Sequence, residues 1–297
     1  MTVREVAEYL NIKERKVYDL VKKTAIPCSR VAGKWLFPLS MIDDWVAAGV
    51  SGAAGETAAP QSAPPGRMPP PVVAGSHDPL LEWCLRESAC GLALMAGGSL
   101  DGLQRLADGE ALVCGLHVLD AESGTYNQLA VRRALHGRNV VMIEWARRQQ
   151  GLVTARGNPL GIRTIADLKH KLPRLISREE TAGTHVLLMN LLDQNGLGEA
   201  DLNRLPQVAR SHTDIGLAIL EGRADTGLAV AAVARQLQLD FVPLQEERYD
   251  LVIGHRDYFE APFQKLLAFT RQEAFQNRAA ELGYHIQNLG RVHLNLP

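Results

Sequence analysis

Four hydroxyl side chains stand at strand-to-helix junctions: Ser76 in GSHDP, Ser99 in GGSLD, Thr184 in AGTHV, and Thr213, beside Asp214, in SHTDI. Such junctions suit the binding of anions. The free N–H groups and dipole of a helix N-terminus attract negative charge, and a Ser or Thr at the cap adds a hydroxyl donor. A tetrahedral oxyanion needs several such donors without an excess of full positive charge. At one position alone, an ordinary helix cap is the simpler reading. Asp78, Asp101 and Asp120 are read as caps or loop anchors, and Asp214, as a carboxylate, would serve an anion only through its backbone. His77, His117, His185 and His212 lie at or near the same junctions, but there is no HxxxH or HExxH spacing, so no metal site is assigned. With no GxSxG, P-loop or GxGxxG and no credible nucleophile–base–orienter set, catalysis is not expected.

The elements that must hold these residues fall on two sides of a break. Residues 51–71, SGAAGETAAPQSAPPGRMPPP, carry six prolines and little to bury, and read as a semi-extended linker. The 297 residues therefore divide into a domain at 1–49, a linker at 50–71 and a domain at 72–297. With 32 Lys/Arg against 33 Asp/Glu the net charge is −1, which by itself disfavours nucleic acid as a partner. Split at the linker, residues 1–46 carry +2 and the remainder −3. No window approaches the roughly 18 apolar residues of a membrane span. The start, MTVREVAEYLNIKERK, is charged where a secretory signal is apolar, and Cys28, Cys84, Cys90 and Cys114 lack CxxC spacing. These features imply a soluble chain of the reducing cytoplasm with no membrane partner.

In the first domain, Thr2 and Glu5 form a capping box ahead of a helix that buries Val6, Ala7 and Leu10. A second helix over roughly 13–23 turns Val17, Leu20 and Val21 inward and leaves its charges outside. CSRVAGKWLFP reads as a hairpin wing hinged at Ala32-Gly33. Ser40 and Asp43 then cap a third helix, whose Ile42, Trp45 and Val46 close the core. This succession, over nearly all of 1–46, resembles the excisionase-type, MerR-related winged helix of bacterial regulators. The resemblance implies a second helix in the major groove and a wing on an adjacent groove or backbone. Carried over, Lys13, Glu14, Arg15 and Lys16 meet base edges and phosphates, with Lys22 on the same exposed side. Tyr18 reaches a phosphate, and Arg30 and Lys34 do so from the wing. Arg15 is the base-reading residue of choice, because a guanidinium pairs bidentately with guanine. The competing reading is a merely solvated charged face, and Trp35 is expected in the core rather than on a base. One such module reads few base pairs, and each mismatch costs about 1–3 kcal/mol. At least a dimer on repeated or palindromic double-stranded operator DNA is therefore expected.

From Val72 strands and helices alternate, which implies a mostly parallel sheet with ligands at the carboxyl ends of its strands. The runs GSLDGLQRLADGEALVCGLHVLD, ARRQQGLVTARGNPLGIRTIADL, SREETAGTHVLL and GRADTGLAV…LDFVPLQEERYDLVI are similar to the periplasmic-binding-protein-like sensor domain related to molybdate- and tungstate-binding transport proteins. The fold implied is a small α+β winged helix-turn-helix, a linker, and an α/β two-lobed type II periplasmic-binding-protein-like domain. Lobe one would span about 72–146 plus 247–297 and lobe two about 147–246, with crossovers near Trp145–Val153 and Leu244–Val252. The resemblance makes Ser76 and Ser99 the first-lobe ligand hydroxyls. Ala182, Gly183 and Thr184, with Thr213 and Asp214, would donate from the second lobe. In this setting the four hydroxyls favour a ligand role over four unrelated caps. Val230 stands where molybdate binders contribute a tyrosine. Ser177-Arg178 and Gly183-Thr184-His185 resemble part of a tungstate-binding element whose middle is replaced here, and Arg178 would neutralise an anion. The chain would then be a one-component transcription regulator sensing molybdate or tungstate, with no cofactor. Its rivals are a regulator sensing an organic or molybdenum cofactor-related effector, and an architectural DNA binder whose second domain only oligomerises.

Overall fold

The computed structural model describes residues 1–10, 12–23, 26–31, 34–37, 42, 69–121 and 123–297. The chain divides into two compact units, Met1–Ala59 and Pro60–Pro297. In the first, the Thr2 hydroxyl accepts from the Glu5 N–H and Glu5 reaches back to the Thr2 N–H, so the capping box opens α1 (Val3–Tyr9). Helix α2 (Glu14–Lys22) follows, and its cap, Lys13, offers no side-chain hydrogen bond. Strands β1 (Ser29–Val31) and β2 (Lys34–Leu36) pair antiparallel with Arg30 opposite Trp35. Val6, Ala7, Val17, Ile26, Phe37 and Ile42 make the core, with Trp35 packed against it. The Ala32-Gly33 turn, most of the third helix (Ser40, Asp43, Trp45, Val46) and linker residues 51–68 lie outside the described residues.

The second unit is built on two 15-residue strands, β6 (Val140–Thr154) and β10 (Asp240–Gly254), which pair antiparallel along their whole length. At one end they meet β5 (Val113–Leu116), beyond which lie β3 (Val72–Gly75) and β4 (Ala93–Ala96). At the other end β6 meets β9 (Thr226–Val230), followed by β7 (Leu175–Arg178) and β8 (Arg204–Ala209). A last strand, β11 (Val292–Leu296), pairs with β6 on the lobe-one side. The two crossovers are thus shared strands, and both lobes hang on one hydrogen-bonded network. The sheet is mixed rather than mostly parallel: β3, β4 and β5 run parallel, as do β7, β8 and β9, but every pairing made by β6 and β10 is antiparallel. A strand that leaves a lobe and another that returns must run in opposite directions.

Helices cover the sheet. In lobe one these are α3 (Pro79–Glu87), α4 (Ser99–Asp108) and α5 (Gln128–Ala134), followed later by α10 (His255–Tyr258), α11 (Ala261–Phe269) and α12 (Glu273–Leu282). In lobe two they are α6 (Asp167–His170), α7 (Gly183–Gln194), α8 (His212–Leu220) and α9 (Ala231–Leu237). Among the described residues, no helix is long and apolar enough to cross a membrane.

Candidate functional site

The site forms where β6 and β10 pass between the lobes. Side chains alternate along a strand, so Arg148 and Gln150 of β6 share one face, and register sets Glu247 of β10 opposite Arg148. That face is polar yet buried: Arg148 is 2%, Gln150 0% and Glu247 1% exposed. Glu247 is the hub. One of its oxygens, Oε1, accepts from Arg148 Nε at 2.5 Å and Gln150 Nε2 at 2.9 Å, while Oε2 lies 2.7 Å from His117 Nδ1. Burial works to raise its pKa, but Arg148 and His117 prevail and hold it below the usual carboxylate range. The second carboxylate is Asp78, the cap of α3, which accepts from Arg148 Nη1 at 2.6 Å, Tyr284 Oη at 2.6 Å and Trp145 Nε1 at 3.3 Å. The guanidinium also lies 4.5 Å from the centre of the Tyr249 ring. One arginine is therefore balanced by two buried acids, the excellent geometry a buried ion pair requires.

His212 opens α8 in lobe two and is fully buried against this face. Its ring centre is 6.0 Å from that of His117 and 6.4 Å from that of His77, both of lobe one. Burial first, then the charges of Arg148 and Arg178, hold it well below the usual imidazole range. Arg178, the last residue of β7, pairs with Glu179 at 2.7 Å. Several buried polar atoms here have no partner among the described residues: Arg148 Nη2, Arg178 Nη1, Thr184 Oγ1, Ser177 Oγ, Gln150 Oε1, His117 Nε2 and both nitrogens of His212. Buried polar groups are nearly always satisfied. A cluster of exceptions at a lobe interface makes this place the candidate binding cleft.

The lobes touch across it. The Leu100 N–H donates to the Thr181 carbonyl at 3.3 Å. Gly183, at the start of α7, backs onto His117 so closely that a Cβ there would lie 2.7 Å from the His117 carbonyl oxygen.

The structure sorts the residues expected from sequence. Ser76 and Ser99 are buried together, 2.9 Å apart, and Ser99 Oγ accepts from the His117 N–H, so both hydroxyls have partners within lobe one. Arg178, Ala182, Gly183 and Thr184 meet at the foot of α7, with Ala182 as its cap. None of the four hydroxyls is itself the helix cap. Those positions belong to Asp78, Gly98, Ala182 and Ser211. Thr213 sits one residue into α8, half-buried, and the Asp214 carboxylate turns back to accept from the Arg210 N–H. The Val230 side chain does not face the polar cluster: at the end of β9, an inner strand, it is fully buried in the apolar core with Trp145 and Val233, and the residue caps α9. It does not stand in for a ligand-binding tyrosine. Sequence patterning does not single out Arg148, Gln150 and Glu247, because they lie in the unbroken polar runs RRQQ and QEER, where no apolar alternation marks which side chains turn inward. In the first unit, Lys13, Glu14, Arg15, Lys16, Tyr18 and Lys22 are all exposed on α2 or at its cap. Arg30 and Lys34 lie on the two strands of the wing, and their side chains fall outside the described residues.

Comparison with known proteins agrees with both units. The helix-turn-helix domain family matches residues 1–50, and the PBP superfamily domain matches residues 84–271. The uncharacterized protein YvgK of Bacillus subtilis (strain 168) is 30% identical over 304 residues, covering 99% of this chain and 97% of its own. A substrate-binding protein assigned to phosphate transport, from Clostridium perfringens and with bound phosphate, superposes with a TM-score of 0.54 at 13% identity, covering 72% of this chain and 98% of its own. The sulfate-binding protein SubI of Mycobacterium tuberculosis H37Rv gives a TM-score of 0.50 at 14% identity, covering 72% of this chain and 85% of its own.

Proposed function

The chain belongs to the PBP superfamily, with a helix-turn-helix domain ahead of the two-lobed fold, and on that footing we propose a one-component transcription regulator of the cytoplasm that senses a small oxyanion. The observation that carries this reading is the set of buried donors between the lobes that have no partner among the described residues: Arg148 Nη2, Arg178 Nη1 and Thr184 Oγ1. Each such group costs about 1–3 kcal/mol if left unsatisfied, and one anion could satisfy them together. The arginines are balanced by Asp78, Glu247 and Glu179, so they offer N–H groups without a large excess of charge. Molybdate and tungstate, the effectors implied by the sequence resemblance, belong to this class. So do the phosphate and sulfate named with the two structural neighbours.

A ligand that bridges both lobes prefers their closed arrangement, and this differential affinity supplies the regulatory energy. In a homodimer it would act on the spacing of two DNA-binding heads through contacts between binding domains. We read the cleft as a binder rather than a catalyst, since the Ser76 and Ser99 hydroxyls face each other instead of a base.

The test is a thermal-shift series on the full chain with molybdate, tungstate, sulfate and phosphate. A ligand at 100 times its Kd stabilises by about 2.7 kcal/mol. We expect a selective shift from at least one anion and its loss in Arg178→Gln/Thr184→Ala. An equal shift in the double variant would place the anion elsewhere.

A further inference from the structure

The cleft presents acceptors as well as donors, and their identity follows from Glu247. An ionised carboxylate can only accept hydrogen bonds. The Gln150 amide must therefore turn its nitrogen to Glu247 Oε1, 2.9 Å away, which leaves its own Oε1 facing elsewhere. By the same rule His117 must carry its proton on Nδ1, 2.7 Å from Glu247 Oε2. Burial and the nearby Arg148 keep this ring neutral despite Glu247, so His117 Nε2 is a bare lone pair. Both atoms are buried without a partner among the described residues, and both belong to side chains bonded to the same carboxylate as Arg148. Neutral His212, beside His117, adds one donor and one acceptor.

We infer that the cleft selects an anion that brings its own hydrogen-bond donor, a monohydrogen phosphate group or a small hydroxy-acid, over bare oxyanions such as sulfate, molybdate and tungstate. This rests on the small-anion reading above and narrows it. A bare oxyanion can satisfy Arg148 Nη2 and Arg178 Nη1, but it sets its lone pairs against Gln150 Oε1 and His117 Nε2. A protonated oxyanion oxygen or a hydroxyl would meet one of those acceptors. Sites built to hydrogen-bond a substrate O–H reject the analogue that lacks it far more strongly than apolar pockets reject a missing methylene.

Calorimetry on the full chain tests this with matched pairs. Phosphate and sulfate at mildly alkaline pH are both tetrahedral dianions, and only phosphate keeps a proton. Glycolate and acetate differ by one hydroxyl and report the organic source of the same chemistry. In at least one pair, the donor-bearing member should bind on the order of 100-fold more tightly. Gln150→Met, which removes an acceptor and leaves Arg148 and His117 on Glu247, should reduce that ratio by about tenfold. Sulfate or molybdate binding as tightly as phosphate, with glycolate no better than acetate, overturns the inference while leaving the small-anion reading intact. Heat from none of these anions overturns both.

Discussion

At the scale of single residues, Glu247 is the organising group. It holds Arg148, Gln150 and His117 in place at once, and each of those has a further buried polar atom with no partner among the described residues. Removing its charge leaves Arg148 with Asp78 alone. Breaking one partner of a buried pair typically costs about 3–5 kcal/mol, so Glu247→Gln should lower unfolding stability by that order in a urea titration of the binding unit. A loss no larger than that of an exposed substitution would contradict the hub. His212 makes a pH prediction. Its folded pKa lies well below the ordinary value, because of burial and then the charges of Arg148 and Arg178. The unfolded chain therefore takes up a proton at His212 below about pH 6.5 while the folded chain does not. Its contribution to stability is present above that pH and is lost as the pH falls. Asp250 works in the opposite sense: burial pushes its carboxyl up to about 6, so the stability it contributes is lost as the pH rises through that value. Melting temperatures across this range should fall less steeply on the acid side for His212→Asn than for the parent chain. The hydroxyls at Ser76, Ser99 and Thr184 were legible in the sequence because junction residues announce themselves by the glycines around them. The hinge ions were not, because nothing in the string tells which face of a 15-residue strand is buried.

At the scale of elements, β6 and β10 do the positioning. Sequence patterning suggests two short strands, DFVPL and YDLVIGH, where the structure has one continuous strand, because the polar QEER between them resembles a loop. Glu247 is polar because it joins the buried cluster, whereas Glu246, on the opposite face, is exposed and meets Arg147 and His285. Two strands give too weak a signal to be read. In β8 the sequence RLPQVA places Pro206 on a strand that ends the sheet and buries only Ala209, and in β11 the sequence VHLNL buries only Leu294. Edge strands need little apolar alternation, and they tolerate proline. Helix α7 carries the third prediction. Its first residue, Gly183, packs against the His117 carbonyl of the other lobe, where a Cβ would come within 2.7 Å of backbone oxygen. Gly183→Ala should prop the lobes apart and weaken anion binding in calorimetry by about tenfold or more, the scale expected when a binding geometry is displaced by a fraction of an ångström. Unchanged affinity would show that this contact does not set closure.

At the scale of the whole molecule, a net charge of −1 averages a +2 head and a −3 body. Few phosphate contacts are available to so small a charge, so each head should bind weakly, with a shallow salt dependence. The proposed dimer would supply the missing affinity by pairing two heads, and DNA binding should then depend steeply on protein concentration. Arg15 is exposed on the first turn of α2. Arg15→Ala should cost about 1–3 kcal/mol in binding to selected DNA and relax preference at one base pair, whereas Lys16→Ala should weaken all sequences alike and reduce the salt slope. The helix-turn-helix was legible from local signals such as the capping box, whereas the two-lobed fold was implied by the resemblance of several runs to a known family. Strand–helix alternation alone implied a mostly parallel sheet, which the antiparallel β6 and β10 make mixed.

The most direct test of the central claim is the affinity of the full chain for DNA that it selects from a random pool, titrated with and without the anion that raises its melting temperature. We expect a change of about 5–150-fold, the usual span of an allosteric coupling, and its disappearance in Arg178→Gln/Thr184→Ala. Selected DNA bound with the same affinity at every anion concentration would contradict it.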